Sequence, residues 1–445
     1  MLALLQHLTP ILSKTTLRQM SLIICAVLAM TGRVTMLGIS RWSDKGGSYR
    51  TVQRFFQTTI PWAQVLWSFF HSQLQEPDVV YVLAGDESVI SKSGQQTHGL
   101  DRFFSSLYGK PIPGIAIFAL SLIDTQARRS YPVMVEQVVR SAEEKAASQE
   151  KAQQRQAKQK EGQAKKKPGR PPGSKNRNKA EVCLTPELQR IQDMVKQFLL
   201  LAGLAVPLTY LVMDGHFGHN NALQMVLSTG LHLVSKLRWD SALFFDYQGS
   251  DQRRKYGGRI DYANIPANCL KERTIKDGIR TDIYQTTARH KEFGQRLNVG
   301  IIVKTNVKTG VWGHVILFSS DLDLAWDKVI EYYRLRFQIE FNFRDAKQYW
   351  GLEDFMNIEK APVTNAINLS LFMVNVSQRL LRDLRQEESN VNVLDLKALY
   401  RGHKYVVETI KLLPQKPEPI LLSAIFNRIS GLGRIHAPQS RCSSP

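Results

Sequence analysis

The sequence predicts an α/β protein in which one mixed sheet is flanked by helical regions at both ends. Three observations carry that reading. Residues 1–75 and 363–435 place apolar residues at helical spacing and carry few strand signals. Between them VVYVLAGD, IPGIAIFALSLID and SYPVMVEQVV (79–139) are three β-rich runs separated by polar or glycine-containing turns. After a basic low-complexity stretch, helical and strand patterns alternate, as in a sheet whose parallel strands are joined by helices.

Taken in order, the first element of note is SLIICAVLAM (21–30). Ten residues are too few to span a bilayer, and no clear cleavage signal makes them a secretory leader, so they read as a buried helix. GRVTMLGISRWSDKGGSYRTVQRFF (32–56) reads as helix, glycine turn, helix. Ser48 is placed to cap the second helix, Val52 and Phe55 to face the core, and Arg50, Gln53 and Arg54 to face a DNA groove. A plain helical pair with a basic surface is the competing reading.

The stretch 141–182 has no apolar face, and residues 141–180 hold 12 Lys+Arg against 4 Glu. Such a segment buries too little surface to offset chain entropy, so it reads as a partly helical or disordered linker. Within it GRPPGSKN, with Arg170 and Lys175, is similar to an AT-hook that lays arginine into a narrow minor groove. A solvated basic linker accounts for the same charges, and both readings stay open.

Order resumes at LTPELQRIQDMVKQFLLLAG (184–203), with Thr185 as cap and Pro186 at the first helical position. A strand (VPLTYLVMD), a short helix (HNNALQMVLST) and a strand (LHLVSKL) follow. Residues 239–320 are strand-rich, and a long helix capped near Asp323 comes next. With the linker removed the order is β-β-β-α-β-α-β, a strand-rich insertion, then a helix, which is the order of a ribonuclease H-like sheet. The expected division is a helical DNA-binding domain over 1–75 and a catalytic core over 76–362. The linker at 141–182 and the insertion at 239–320 interrupt that core, and a helical C-terminal region covers 363–445.

Composition narrows the partner. Lys+Arg number 59 against 39 Asp+Glu, a formal charge of +20, which favours a polyanion, with nucleic acid ahead of an anionic membrane. Cys25, Cys183, Cys269 and Cys442 are scattered without zinc-site or disulfide spacing, and they fit a reducing compartment such as the cytoplasm.

Two acids end buried-looking strands: Asp86 in VVYVLAGDES and Asp214 in LTYLVMDGHFG. Strand ends are where open α/β sheets place ligands. Asp124, before TQ, reads as a turn former. The third acid comes from YYRLRFQIEFNFRDAKQYW (332–350). At about 100° per residue, Tyr333, Arg336, Glu340 and Lys347 fall in one narrow stripe of a continuous helix. Leu335, Ile339, Phe343, Ala346 and Trp350 form an apolar stripe beside it. An Arg336–Glu340 ion pair on a half-buried helix explains two of the four residues but not the continuation of the line. Three carboxylates suit two hard divalent cations, Mg²⁺ with Mn²⁺ able to substitute, in two-metal phosphodiester chemistry. Tyr333, Arg336 and Lys347 would then meet DNA phosphates. His216 and His219 read as local hydrogen-bonding residues, because a magnesium-type site prefers oxygen ligands. Trp312 reads as sheet packing, with insertion into DNA as the alternative.

The spacing Y-x2-R-x3-E-x6-K at Tyr333, Arg336, Glu340 and Lys347 resembles the Y-R-E-K signature of bacterial insertion-sequence DDE transposases. The resemblance covers roughly residues 76–360, with Asp86 and Asp214 as the matching acids. It implies a Mg²⁺-dependent enzyme that nicks transposon ends and joins their 3′-hydroxyls to target DNA. It further implies a homodimer on paired double-stranded DNA ends, a nucleoid location and no membrane partner. The distance from Asp86 to Asp214 exceeds that of compact family members, and the basic linker accounts for the excess. Two other readings remain: a nuclease of the same fold without transposition, and a non-enzymatic DNA-binding protein.

Overall fold

The computed structural model describes residues 1–105, 108–146, 150, 153, 178–251 and 253–436. It opens with a helical turn, α1 (Leu2–Leu5), then α2 (Lys14–Ala29), α3 (Met36–Trp42), α4 (Tyr49–Gln57) and α5 (Trp62–Gln73). Each of α2–α4 begins at a side-chain cap: Ser13 on the Thr16 amide, Thr35 on that of Gly38, and Ser48 on that of Thr51. The run read as a buried helix lies within α2, and Ile23, Ile24, Val27 and Leu28 are almost wholly inaccessible.

The sheet begins with β1 (Tyr81–Ser91), β2 (Asp101–Ser105), β3 (Lys110–Asp124) and β4 (Arg129–Val138). The short strand β2 is an addition to the expected order; DRFFS is charged and brief and pairs with β3, so it carries little alternating pattern. Asp124 forms the turn expected of it, its carboxylate accepting from the amides of Gln126 and Ala127. Helix α6 (Pro186–Ala202), capped by Thr185, leads to β5 (Tyr210–Val212), α7 (Asn220–Leu227) and β6 (His232–Leu237). The inner strand order is β4-β3-β1-β5-β6, with β1 antiparallel to β3 and parallel to β5, and β5 parallel to β6. This is the ribonuclease H-like arrangement.

The strand-rich insertion contributes β7 (Leu243–Asp246), β8 (Tyr256–Arg259), β9 (Leu270–Lys276), β10 (Ile279–His290), β11 (Arg296–Asn306) and β12 (Trp312–Ser319). It does not form a separate sheet. β12 pairs antiparallel with β6, so the sheet continues through β11 and β10 to β7 and β8.

Helices α8 (Trp326–Leu335) and α9 (Gln338–Tyr349) cross the sheet, followed by α10 (Lys360–Glu387), α11 (Val393–Leu412) and α12 (Pro419–Gly431). α10 starts ahead of the expected boundary at 363. One apolar cluster runs from Leu5 through β1, β3 and β4 to Leu396, so the N- and C-terminal helices share a core with the sheet. A smaller cluster lies under α8, where Val82, Val212, Val234 and Leu317 meet Val329, Ile330 and Tyr332. Among the described residues, no helix is long and apolar enough to cross a membrane. The AT-hook-like segment with Arg170 and Lys175 lies outside the described residues.

Candidate active site

Asp86 does not end its strand. β1 stays paired to β3 as far as Ser91 opposite Gly114, but its parallel pairing with β5 stops at Ala84 opposite Val212. Asp86 therefore projects from the point where the neighbouring strand has ended. Asp214 leaves β5 in the matching register, two residues past Val212. Side chains alternate along a strand, so Asp86 follows Val82, and Asp214 follows Val212, onto the face covered by α8.

Local structure then fixes Asp214. Its carboxylate accepts from the His216 amide at 3.1 Å, and its carbonyl accepts from Ser235 Oγ of β6 at 2.7 Å. Gly218 lets this turn lie against β6, because a Cβ there would come within 2.1 Å of the Lys236 carbonyl oxygen. The His216 ring pairs with Glu187 and His219 caps α7, so both histidines bond locally, as expected. Nothing in the sequence points to Ser235, which reaches Asp214 only because β6 lies beside β5.

The expected continuous helix is broken. α8 ends at Leu335, α9 starts at Gln338, and the first begins after Ala325 with no side-chain cap rather than at Asp323. Across the break Phe337, Ile339 and Glu340 donate to carbonyls three residues back, a tighter turn than the α-helical one. The packing partner changes there: Val329, Ile330 and Tyr332 of α8 pack on the smaller cluster, whereas Leu335 at its end, Ile339, Phe343 and Ala346 of α9, and Trp350 just beyond it join the main core. The apolar stripe is buried as expected, but the polar residues belong to two helices and the joint between them.

Arg336, at that joint, draws the acids together. Its Nη1 donates to Asp86 Oδ2 at 2.8 Å and its Nη2 to Glu340 Oε1 at 3.2 Å. The Arg336 side chain is 12% exposed, against 19% for Asp86 and 42% for Glu340. Burial pushes the Asp86 carboxyl up to about 6; Arg336 opposes that rise, and the negative charges of Asp214 and Glu340 add to it. The Tyr333 ring lies 5.9 Å from the guanidinium, and burial raises its phenol. Asp86, Asp214 and Glu340 thus share one electrostatic neighbourhood.

Lys347 is placed differently from the other three. It donates to the Val89 carbonyl at 2.8 Å and pairs with Glu353 at 3.4 Å, tying α9 to β1. Arg50 and Arg54 project from α4 into solvent, with Val52 and Phe55 buried, while Gln53 lines a cavity of about 200 Å³ with Met356 and Ile358. Trp312 is 44% exposed rather than packed into the sheet, and stacks on His314, which stacks on Tyr262.

The donor set suits a hard divalent cation: three carboxylates, oxygen ligands only, with two of them already gathered around one cationic group. In this conformation that group is the Arg336 guanidinium. Among the described residues no three acidic, histidine or cysteine side chains stand close enough to hold a metal ion as placed.

No curated protein matches the chain. A family model described as DDE superfamily endonuclease matches residues 4–291, more than half of the chain. The match takes in Asp86 and Asp214 and ends before Glu340. The chain belongs to the DDE superfamily of endonucleases.

Proposed function

We propose that this endonuclease is a DNA transposase of the insertion-sequence type with a Y-R-E-K signature. It binds terminal repeats as a homodimer on paired ends and passes 3′-hydroxyl ends into target DNA. Membership of the superfamily makes it a nuclease-type enzyme acting on DNA, and such nucleases generally use divalent metals. The observation that best supports the reading is the convergence of Asp86 from β1 and Glu340 from α9 on Arg336, 250 and 4 residues away in sequence.

In this reading Asp86, Asp214 and Glu340 would hold two divalent cations of the Mg²⁺ type, whose chemistry when bound would be activation of an attacking oxygen and stabilisation of a leaving one. Asp214 is held by its two hydrogen bonds, so its carboxylate stays aimed at the same face as Asp86. Tyr333 and Arg336 orient the scissile phosphate. Lys347 keeps α9 against β1 and reaches DNA by exchanging Glu353 for a phosphate. α4 offers Arg50, Gln53 and Arg54 to the terminal repeat, and the basic segment with Arg170 and Lys175 adds sequence-tolerant affinity.

Asp86→Asn, Asp214→Asn and Glu340→Gln are each expected to lower Mg²⁺-dependent nicking of end-bearing DNA by about a thousandfold, on the order of 4 kcal/mol in the barrier. Full cutting by all three variants would remove the triad and favour a non-enzymatic DNA-binding role. Cleavage without any joined product from end and target DNA would favour a nuclease without transposition.

A further inference from the structure

The guanidinium of Arg336 stands where carboxylates converge, and its bonding there is incomplete. Nη1 and Nη2 serve Asp86 and Glu340, while Nε is buried and has no hydrogen-bond partner among the described residues. A buried donor left unpaired carries a desolvation cost. The charge balance is also incomplete. At Asp86 the negative charges of both Asp214 and Glu340 stand against the Arg336 guanidinium. Arg336 also sits at the joint of α8 and α9, where the helical ladder tightens, and the next residue, Phe337, is 48% exposed.

We propose that Arg336 is a resident placeholder for the catalytic metal, displaced when DNA arrives. In the free protein its guanidinium holds Asp86 and Glu340 together. A DNA phosphate offers the bidentate acceptor that guanidinium groups favour and meets the Nε donor now unsatisfied. As Arg336 turns to that phosphate, over the neighbouring Tyr333 ring, the two carboxylates become free for a divalent cation. Phosphate engagement and metal entry are then one coupled equilibrium, and each ligand raises affinity for the other by the same factor. The protein would keep its metal site closed until an end is bound. This inference rests on the proposed triad, and the test separates the two.

The measurement is Mn²⁺ binding to the full chain, read by the loss of the free-ion electron paramagnetic resonance signal, with and without duplex DNA. Without DNA, Arg336→Ala is expected to bind Mn²⁺ about tenfold more tightly than wild type. DNA is expected to tighten Mn²⁺ binding to wild type by a similar factor and to leave Arg336→Ala nearly unchanged. Arg336→Gln, which keeps a polar side chain at the joint, is expected to follow Arg336→Ala and serves if the alanine variant does not fold. Equal or weaker Mn²⁺ binding by a folded variant overturns the placeholder, as does an equal gain from DNA in variant and wild type. Asp86→Asn and Glu340→Gln monitor the underlying site. If Mn²⁺ binding survives both unchanged, or no protein binds Mn²⁺ with or without DNA, the triad reading itself fails.

Discussion

The inner strands of the sheet and the outer strands of the insertion are buried in opposite ways, with β11 between them still inaccessible from Leu297 to Val303. In the inner half β3 is inaccessible from Gly114 to Asp124, and β1 from Tyr81 to Gly85, because helices cover both faces. In the insertion β9 is exposed along almost its whole length and β10 is only partly covered. Strands buried on both faces leave a carboxylate few places to emerge, so Asp86 and Asp214 appear together where β5 ends. The exposed half has no such restriction. Its buried acid Asp282 is held by Arg273 and Arg280 and is structural. The two candidate acids collect at the edge of the covered half, and the open half presents surface.

The largest test of this contrast is stability. Leu120→Ala in β3 removes a fully buried side chain and is expected to cost about 2–5 kcal/mol in denaturant unfolding. Ile275→Ala in β9, 67% exposed, should cost no more than about 0.5 kcal/mol. Equal costs would break the comparison.

A second test concerns how the covered half is tied to the flanking helices. Lys397 of α11 donates to the Val27 carbonyl of α2 and lies over the Trp350 ring at the end of α9. Burial, with Arg401 beside it, holds its ammonium down to about 8. An unfolded lysine titrates near 10.4, so between about pH 8 and 10 the unfolded chain binds more protons and stability rises with pH. Relative to Lys397→Met, wild type should gain on the order of 2 kcal/mol over that window. A flat difference would mean that Lys397 is not buried as an ammonium.

The smallest expected effect falls in the open half. Trp312→Ala should leave the melting temperature unchanged and weaken binding to DNA with a frayed end by about 1 kcal/mol, measured by fluorescence anisotropy. A destabilised protein with unchanged DNA affinity would return Trp312 to the packing role that its sequence context suggests.

Much of the fold is legible in the order of residues. Apolar runs mark the inner strands and period-3.6 patterns the flanking helical regions, since burial on one face or two writes itself into that order, whereas β7–β10 show only as a strand-rich stretch. Caps such as Ser48 and Thr185 are local and readable for that reason. The acids Asp86 and Asp214 stand out because each interrupts an apolar run. The joint at Arg336–Phe337 does not, because it arises where α8 and α9 pack on different clusters, a choice made by partners distant in sequence. β2 escapes notice for want of length.

By itself, then, the sequence determined the order of the inner elements and the covered sheet, and it singled out the three acids as candidates, because local periodicity and composition encode what must be buried. Only the tertiary structure decided that Arg336 reaches Asp86, that Lys347 turns back to Val89, and that β12 fuses the insertion to the core sheet. Those are contacts between segments far apart in the chain, fixed by packing and register rather than by any neighbouring residue.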